Sequence, residues 1–307
     1  MENKIFNGAP EQNENALPER KTPKEIAMIT LTIGVRVLIY LLLILGAVFI
    51  MLPFLWMLLG SFKTANDANA LEFSLFPKEW IGTNYTDLFS DTTNFPILAA
   101  FGNTVLVEVS VIIVGTFVSA MAAFGFAKLK LKYKTFWLLF LMSGMMVPYA
   151  ALMLPQFRAF QELGMFDTLW PLILPGFFGN VSMIFFLIQY MRGVPNAYFE
   201  AARIDGASHF RCFITIMFPL IATAISAQVI FWFIGIWNDY FAPAIYLVTP
   251  SHRTLQALLG SLNPAGNSQY LPRALAGAVL SSIPMFVIYL SCQKFFIESL
   301  AISGVKG

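Results

Sequence analysis

Charge is what this 307-residue chain has least of: Asp, Glu, Lys and Arg together supply 12% of it. Soluble domains carry about a quarter charged residues, so a solvated globule is excluded and a lipid-embedded chain is indicated. Cysteine is nearly absent: Cys212 and Cys292 are the only two, and no disulfide framework is implied. The two histidines, His209 and His252, lie far apart and belong to no cluster of metal ligands. No Gly-x-x-x-x-Gly-Lys-Ser/Thr loop is present to cradle phosphates, so ATP chemistry is not expected in this chain. No nucleophile–base pair is legible at one membrane depth either. The first 25 residues lack the apolar core of a secretory signal. They are polar, with Pro10, Pro18, Pro23 and mixed charge, and read as a disordered tail. The net charge of +2 gives no reason to expect a nucleic-acid partner.

What is present is hydrophobic residue, 58% of the chain, arranged in long runs. Ile26 to Phe62 is almost uninterrupted and exceeds the roughly 20 residues of one perpendicular span. Two divisions stay open: an interfacial elbow over 26–34 followed by a crossing at 37–60, or one long tilted helix. Further spans are expected at about 98–124, 135–157, 168–191, 220–247 and 274–296, with boundaries good to a few residues. The fold class is therefore an all-α integral membrane protein of six transmembrane helices. Residues 1–34 form the tail and elbow, and 35–307 the six-span body. The second span is rich in small residues toward its end (Gly115, Ser119, Ala120, Ala122, Ala123), which lets helices approach closely in lipid.

Six spans put both termini on one side. On that side fall fourteen of the nineteen basic residues, among them Lys128, Lys130, Lys132 and Lys134. Basic residues favour the cytoplasm, so both ends face inward. Between the fourth and fifth spans, 193–219 is then a cytoplasmic polar island. Pro195 suits a helix start, Asn196 to Ile204 is mostly sound helix former, Asp205-Gly206 breaks it, and Pro219 closes a second helical piece. Ala201 and Ala202 offer a flat face, with Glu200, Arg203 and Asp205 to orient an incoming protein. Within the spans, Glu108 and Asp239 are the costly ionisable residues, which face either a cavity or a partner helix. Glu108, Trp237, Asn238, Asp239 and Tyr240 could line a translocation path or simply hold the bundle together.

Glu200-Ala201-Ala202, two residues, Asp205-Gly206-Ala207, then Ile216 and Pro219 resembles the coupling loop of binding-protein-dependent ABC importer permeases. Trp237-Asn238-Asp239-Tyr240 with Pro243, and the ending Ser303-Gly304-Val305-Lys306-Gly307, resemble the carbohydrate branch of that family, in particular the shorter permease of maltose-type importers. Asn103-Thr104 and the stretch Ala122 to Lys128 are also similar; Phe218 departs from the leucine more often found before the proline. The resemblance covers about 37–307 and implies a heteromeric importer in a bacterial or archaeal cell membrane. Its other parts would be a second, different permease, two cytoplasmic ATPase subunits that bind ATP and Mg, and an extracytoplasmic solute-binding protein. This chain would hold no cofactor. Glu200, Ala201, Ala202, Arg203, Asp205, Gly206 and Ala207 would couple to the ATPase, and the cargo would be a carbohydrate. The alternatives are a permease of the same superfamily for another solute or an ion-coupled secondary transporter. The latter would want matching broken helices in two repeated halves; prolines 148, 155, 171 and 175 hint at breaks, but no repeat is evident.

Overall fold

Apolar sequence in lipid must satisfy its backbone N–H and C=O groups internally, which leaves the helix as the natural element for these runs. The computed structural model describes residues 23–70, 72–262 and 270–304, and among them every regular element is helical. In chain order these are α1 (Pro23–Gly60), α2 (Ala65–Ala68), α3 (Thr83–Ser90), α4 (Ile97–Lys128), α5 (Lys134–Gly144), α6 (Tyr149–Glu162), α7 (Trp170–Phe177) and α8 (Val181–Arg192). There follow α9 (Ala197–Ile204), α10 (His209–Cys212), a π-helical turn (Phe213–Met217), α11 (Phe218–Leu220) and α12 (Ala222–Trp237). The last are α13 (Phe241–Tyr246), a 3-10 turn (Pro250–His252), α14 (Leu255–Ser261) and α15 (Leu271–Gly304).

Among the described residues, four helical stretches are long and apolar enough to cross a membrane, and six if each of two bent pairs counts as one span. The first bend, 88° between α5 and α6, falls where Pro148 caps α6 in an extended conformation; proline also disfavours helix in the residue before it. The second, 77° between α11 and α12, follows Pro219, which cannot donate to the ladder, and the π turn that precedes it. The fourth span is likewise interrupted. Gly179 adopts φ +91°, a conformation open to glycine without a Cβ clash. Asn180 then caps α8 by accepting from the Met183 N–H at 3.0 Å.

The chain divides into two compact units, residues 1–55 and 56–307. In the first, α1 runs without a break at Arg36, and its residues from Leu31 to Leu55 are exposed on every side. A helix apolar all round is suited to hydrocarbon. The second unit is built on α4. A Cβ on Gly115 would come within 2.4 Å of both the Gly176 carbonyl oxygen and the Trp232 ring, so α7 and α12 lie directly against this glycine. Ser119 Oγ donates to the Gly115 carbonyl at 2.6 Å and accepts from the Asn180 N–H at 2.8 Å, joining the α7–α8 break to α4. Met183, Ile184, Leu187, Ile188 and Met191 form the buried stripe of α8. They pack with Ala120, Ala123 and Phe124 of α4, and with Phe213 and Met217 of the π turn.

Candidate functional site

The two ends of α4 lie about 48 Å apart by helical rise, and each organises a cluster of polar groups. At its C-terminal end Lys128 Nζ donates to the Val194 carbonyl at 2.6 Å and to Asn196 Oδ1 at 2.9 Å. The same ammonium lies 5.5 Å from the centre of the Phe199 ring. These contacts fix the chain just before α9 and the first turn of α9 itself. Phe199, Ala202 and Ala207 then pack on the hydrophobic core below, with Phe199 against Phe124 at 5.6 Å.

The opposite face of the same segment is solvated. Glu200, Ala201, Arg203, Ile204, Asp205 and Gly206 are exposed, Ile204 at 86%. The alanines therefore divide: Ala201 looks out, while Ala202 is partly buried as a root. Gly206 holds φ +82°, and the Ala207 N–H closes back onto the Ala202 carbonyl at 2.9 Å. Arg203 Nη1 reaches the Ala207 carbonyl at 3.2 Å, so its guanidinium braces the turn. Ser208 restarts the helix by accepting from the Arg211 N–H. The expected pair of small helices joined at a glycine is what the backbone forms, with a π turn extending the second.

At the N-terminal end of α4, Asn103 and Thr104 hold the strap between α13 and α14. Asn103 Nδ2 donates to the Ser251 and Arg253 carbonyls at 2.8 and 3.0 Å. Thr104 Oγ1 accepts from the Leu255 N–H at 2.8 Å. Asp167, in the link before α7, fastens the other side of the strap. Its carboxylate accepts from the Val248 and Thr249 N–H groups, from Thr249 Oγ1 at 2.6 Å, and pairs with His252 Nδ1 at 3.2 Å. Partial burial alone would raise this carboxyl, but the bonds from Thr249, Val248 and His252 outweigh it and pull the pKa down to about 2. His252, for which the sequence offers no partner, thus has one. The sequence also reads 249–272 as an external loop, long enough to touch a binding protein or equally simple linkage; its Asn263, Pro264, Gly266 and Asn267 lie outside the described residues.

Beneath the strap, α4, α6, α7 and α13 border a partly open cavity of about 390 Å³, lined by Tyr149, Gln156, Asp239, Phe241 and Thr254 among others. Of the five residues expected along a solute path, Asp239 alone lines it. Trp237 is 2% exposed; its indole N–H donates to the Ser281 carbonyl at 3.0 Å, and its ring stacks on Phe233. Asn238 turns back to the Ile234 carbonyl at 2.8 Å. Tyr240 lies against Gly260, where a Cβ would meet its ring. Glu108 is 2% exposed, and neither of its carboxyl oxygens has a hydrogen-bond partner among the described residues. Residues the sequence did not single out are Lys128 as a brace, Asp167, Tyr149 and Gln156. Lys128 stands in a basic run that reads first as a topology signal, and nothing local marks the other three.

Residues 115–297 match the family described as binding-protein-dependent transport system inner membrane component. The arabinooligosaccharides transport system permease protein of Halalkalibacterium halodurans is 29% identical over 94% of this chain and 100% of its own length. Its namesake in Bacillus subtilis is 32% identical over 83% of this chain and 90% of that protein. The diacetylchitobiose uptake system permease protein of Streptomyces coelicolor is 33% identical, covering 82% and 83%. Among solved structures, a chain of a bacterial ABC transporter involved in the import of the acidic polysaccharide alginate superposes with a TM-score of 0.74. It is 22% identical over 85% of this chain and 95% of that one, a likeness of fold. The ion-coupled secondary transporter is thereby set aside, and the chain belongs to the binding-protein-dependent transport system inner membrane components, the permeases of ABC transporters.

Proposed function

We propose that this chain is one of two permease subunits of an ABC importer for a carbohydrate, and that α9 with its glycine turn couples it to a cytoplasmic ATPase. The observation that carries this is the two-faced build of α9. Phe199, Ala202 and Ala207 root it in the core, while Glu200, Ala201, Ile204 and Asp205 project into solvent. A short stiff helix anchored in this way transmits a push from its exposed face to α4 and the π turn rather than absorbing it, and packed interfaces switch between discrete states. Exposed Ile204 supplies an apolar knob for a groove, with Glu200 and Asp205 beside it for registry.

In this account ATP and Mg are held by two separate ATPase chains, and this chain performs no chemistry of its own. A second, different permease completes the path, and an extracytoplasmic binding protein delivers the sugar. Both termini and α9 face the cytoplasm of a bacterial or archaeal cell, in keeping with the lysine and arginine count. The carbohydrate class rests on the named cargo of the relatives and on the Trp237-to-Tyr240 and C-terminal resemblances.

The test is a pair of variants, Glu200→Ala and Gly206→Val, assayed by vesicle uptake and by co-purification of the ATPase. Both are expected to insert normally, to lose ATPase docking and to abolish coupled uptake. Gly206 has open space around it, so valine there acts through the positive φ, which a β-branched residue resists. Wild-type docking and uptake in both variants would refute the assignment.

A further inference from the structure

The cavity beneath the strap has more hydrogen-bonding capacity than its own walls use. Thr254 Oγ1 is buried without a partner among the described residues. The Gln156 amide has no protein hydrogen bond there either, although it lines the cavity. Asp239 Oδ1 accepts from the Phe241 and Ala242 N–H groups at 3.0 and 3.2 Å, which caps α13, and Oδ2 takes no hydrogen bond among the described residues. A buried hydroxyl is ordinarily satisfied; Thr254, with the half-buried Gln156 and Asp239 beside it, leaves spare capacity around one space of about 390 Å³, which marks a place for a polar ligand of small-molecule size. Two aromatic rings complete the wall. Tyr149 and Phe241 meet edge to face at 6.4 Å, and both line the space.

This set matches a sugar ring more closely than an ion or a lipid tail. Each sugar hydroxyl both donates and accepts, as do a threonine hydroxyl and a glutamine amide, and a carboxylate oxygen accepts from hydroxyls. The C–H face of the ring has aromatic surface to lie on. Charge then narrows the class. Asp239 is the only ionisable acid or base in the lining apart from the tyrosine, with no lysine, arginine or histidine among the wall residues. A carboxylate in a cleft with low-dielectric walls repels anions.

We infer that this cavity holds one ring of an uncharged polyhydroxylated solute on its way through the membrane, and that Asp239 turns anionic sugars away. The inference rests on the importer function proposed above and adds that this chain, not only its partner permease, touches the cargo. It also separates this chain from its structural relative, whose transporter imports an acidic polysaccharide.

The experiment uses the whole importer in membrane vesicles, with Gln156→Cys as reporter and Tyr149→Cys as a second reporter should the first fail to assemble. Unsubstituted importer gives the background from Cys212 and Cys292. With each rate divided by that of the same reagent with a free thiol, labelling by a cationic methanethiosulfonate is expected to outrun that by an anionic one by roughly tenfold. Asp239→Asn keeps the oxygen that caps α13 and removes the charge, so it should bring the two rates close together. High D-glucose should slow labelling by the cationic reagent more than equal sodium D-glucuronate, a ring of the same kind carrying a carboxylate, with sodium chloride as salt control.

Absence of labelling at both reporters, equal rates for the two reagents, or equal protection by the two sugars would overturn the inference. ATPase co-purification, measured on the same samples, keeps the two proposals apart. Docking with a sealed or charge-indifferent cavity sinks this one alone; charge-selective labelling without docking sinks the importer assignment and leaves the cavity.

Discussion

Asp167 shows how much one side chain can hold. It sits at φ +57°, an uncommon conformation for which aspartate is among the better-suited residues, and from there it fastens Val248, Thr249 and His252. Because its pKa is pulled below the ordinary value, the clamp stabilises the fold above the unfolded carboxyl value of about 3.9. That contribution is lost as pH falls through the folded value of about 2. The difference in melting temperature between wild type and Asp167→Ala is therefore expected to be constant from neutral pH to about 5 and to shrink between about 4 and 2. A difference unchanged across that window would mean the carboxylate is not what the strap depends on. Neither the partners of Asp167 nor those of His252 were legible beforehand. They are separated from each other by more than eighty residues, and no local spacing encodes a contact of that kind. The sequence sets Glu108 toward a cavity or a partner helix; among the described residues it is buried, does not line the cavity and has no hydrogen-bond partner, an outcome that no local spacing encodes.

Among the elements, α4 and α9 carry the most. Where α4 crosses α7 and α12, Gly115 leaves no room for a methyl group. Gly115→Ala is expected to cost about 1–3 kcal/mol through overpacking, read as earlier loss of the monodisperse peak on heating in detergent. At the other end of α4, Lys128→Met removes a half-buried charged hydrogen-bond donor from the entry to α9. The expected stability loss is small, about 1 kcal/mol, but α9 would no longer be tied to α4. Uptake per ATP hydrolysed should fall while the ATPase still co-purifies, and Lys128→Arg should recover part of it because it keeps a charged donor. Unaltered coupling in Lys128→Met would show that hydrophobic packing alone holds α9. The small-residue stretch on α4 and the break at Asp205-Gly206 were plain from the sequence, because glycine and alanine state their steric purpose locally. Which alanine of the pair faces in was not plain, since Ala201 and Ala202 differ only in where the core lies.

For the molecule as a whole, the charge distribution and the fold make one joint prediction. Reporter fusions after Ile204 should report the cytoplasm and fusions after Thr249 the other side; the same compartment for both would break the six-span arrangement. The sequence by itself determined that this is a helical membrane chain, how its apolar runs are spaced and where along it the basic residues fall. Each of those follows from composition, periodicity or local backbone chemistry, which act over one or two turns. Only the tertiary structure decided that α1 continues past Arg36, that Trp237 belongs to the core while Asp239 opens onto a cavity, and that Lys128 braces α9. Those outcomes depend on which helix faces are covered by residues distant in the chain. In a sequence apolar nearly everywhere, hydrophobicity does not distinguish a face turned to lipid from one turned to protein.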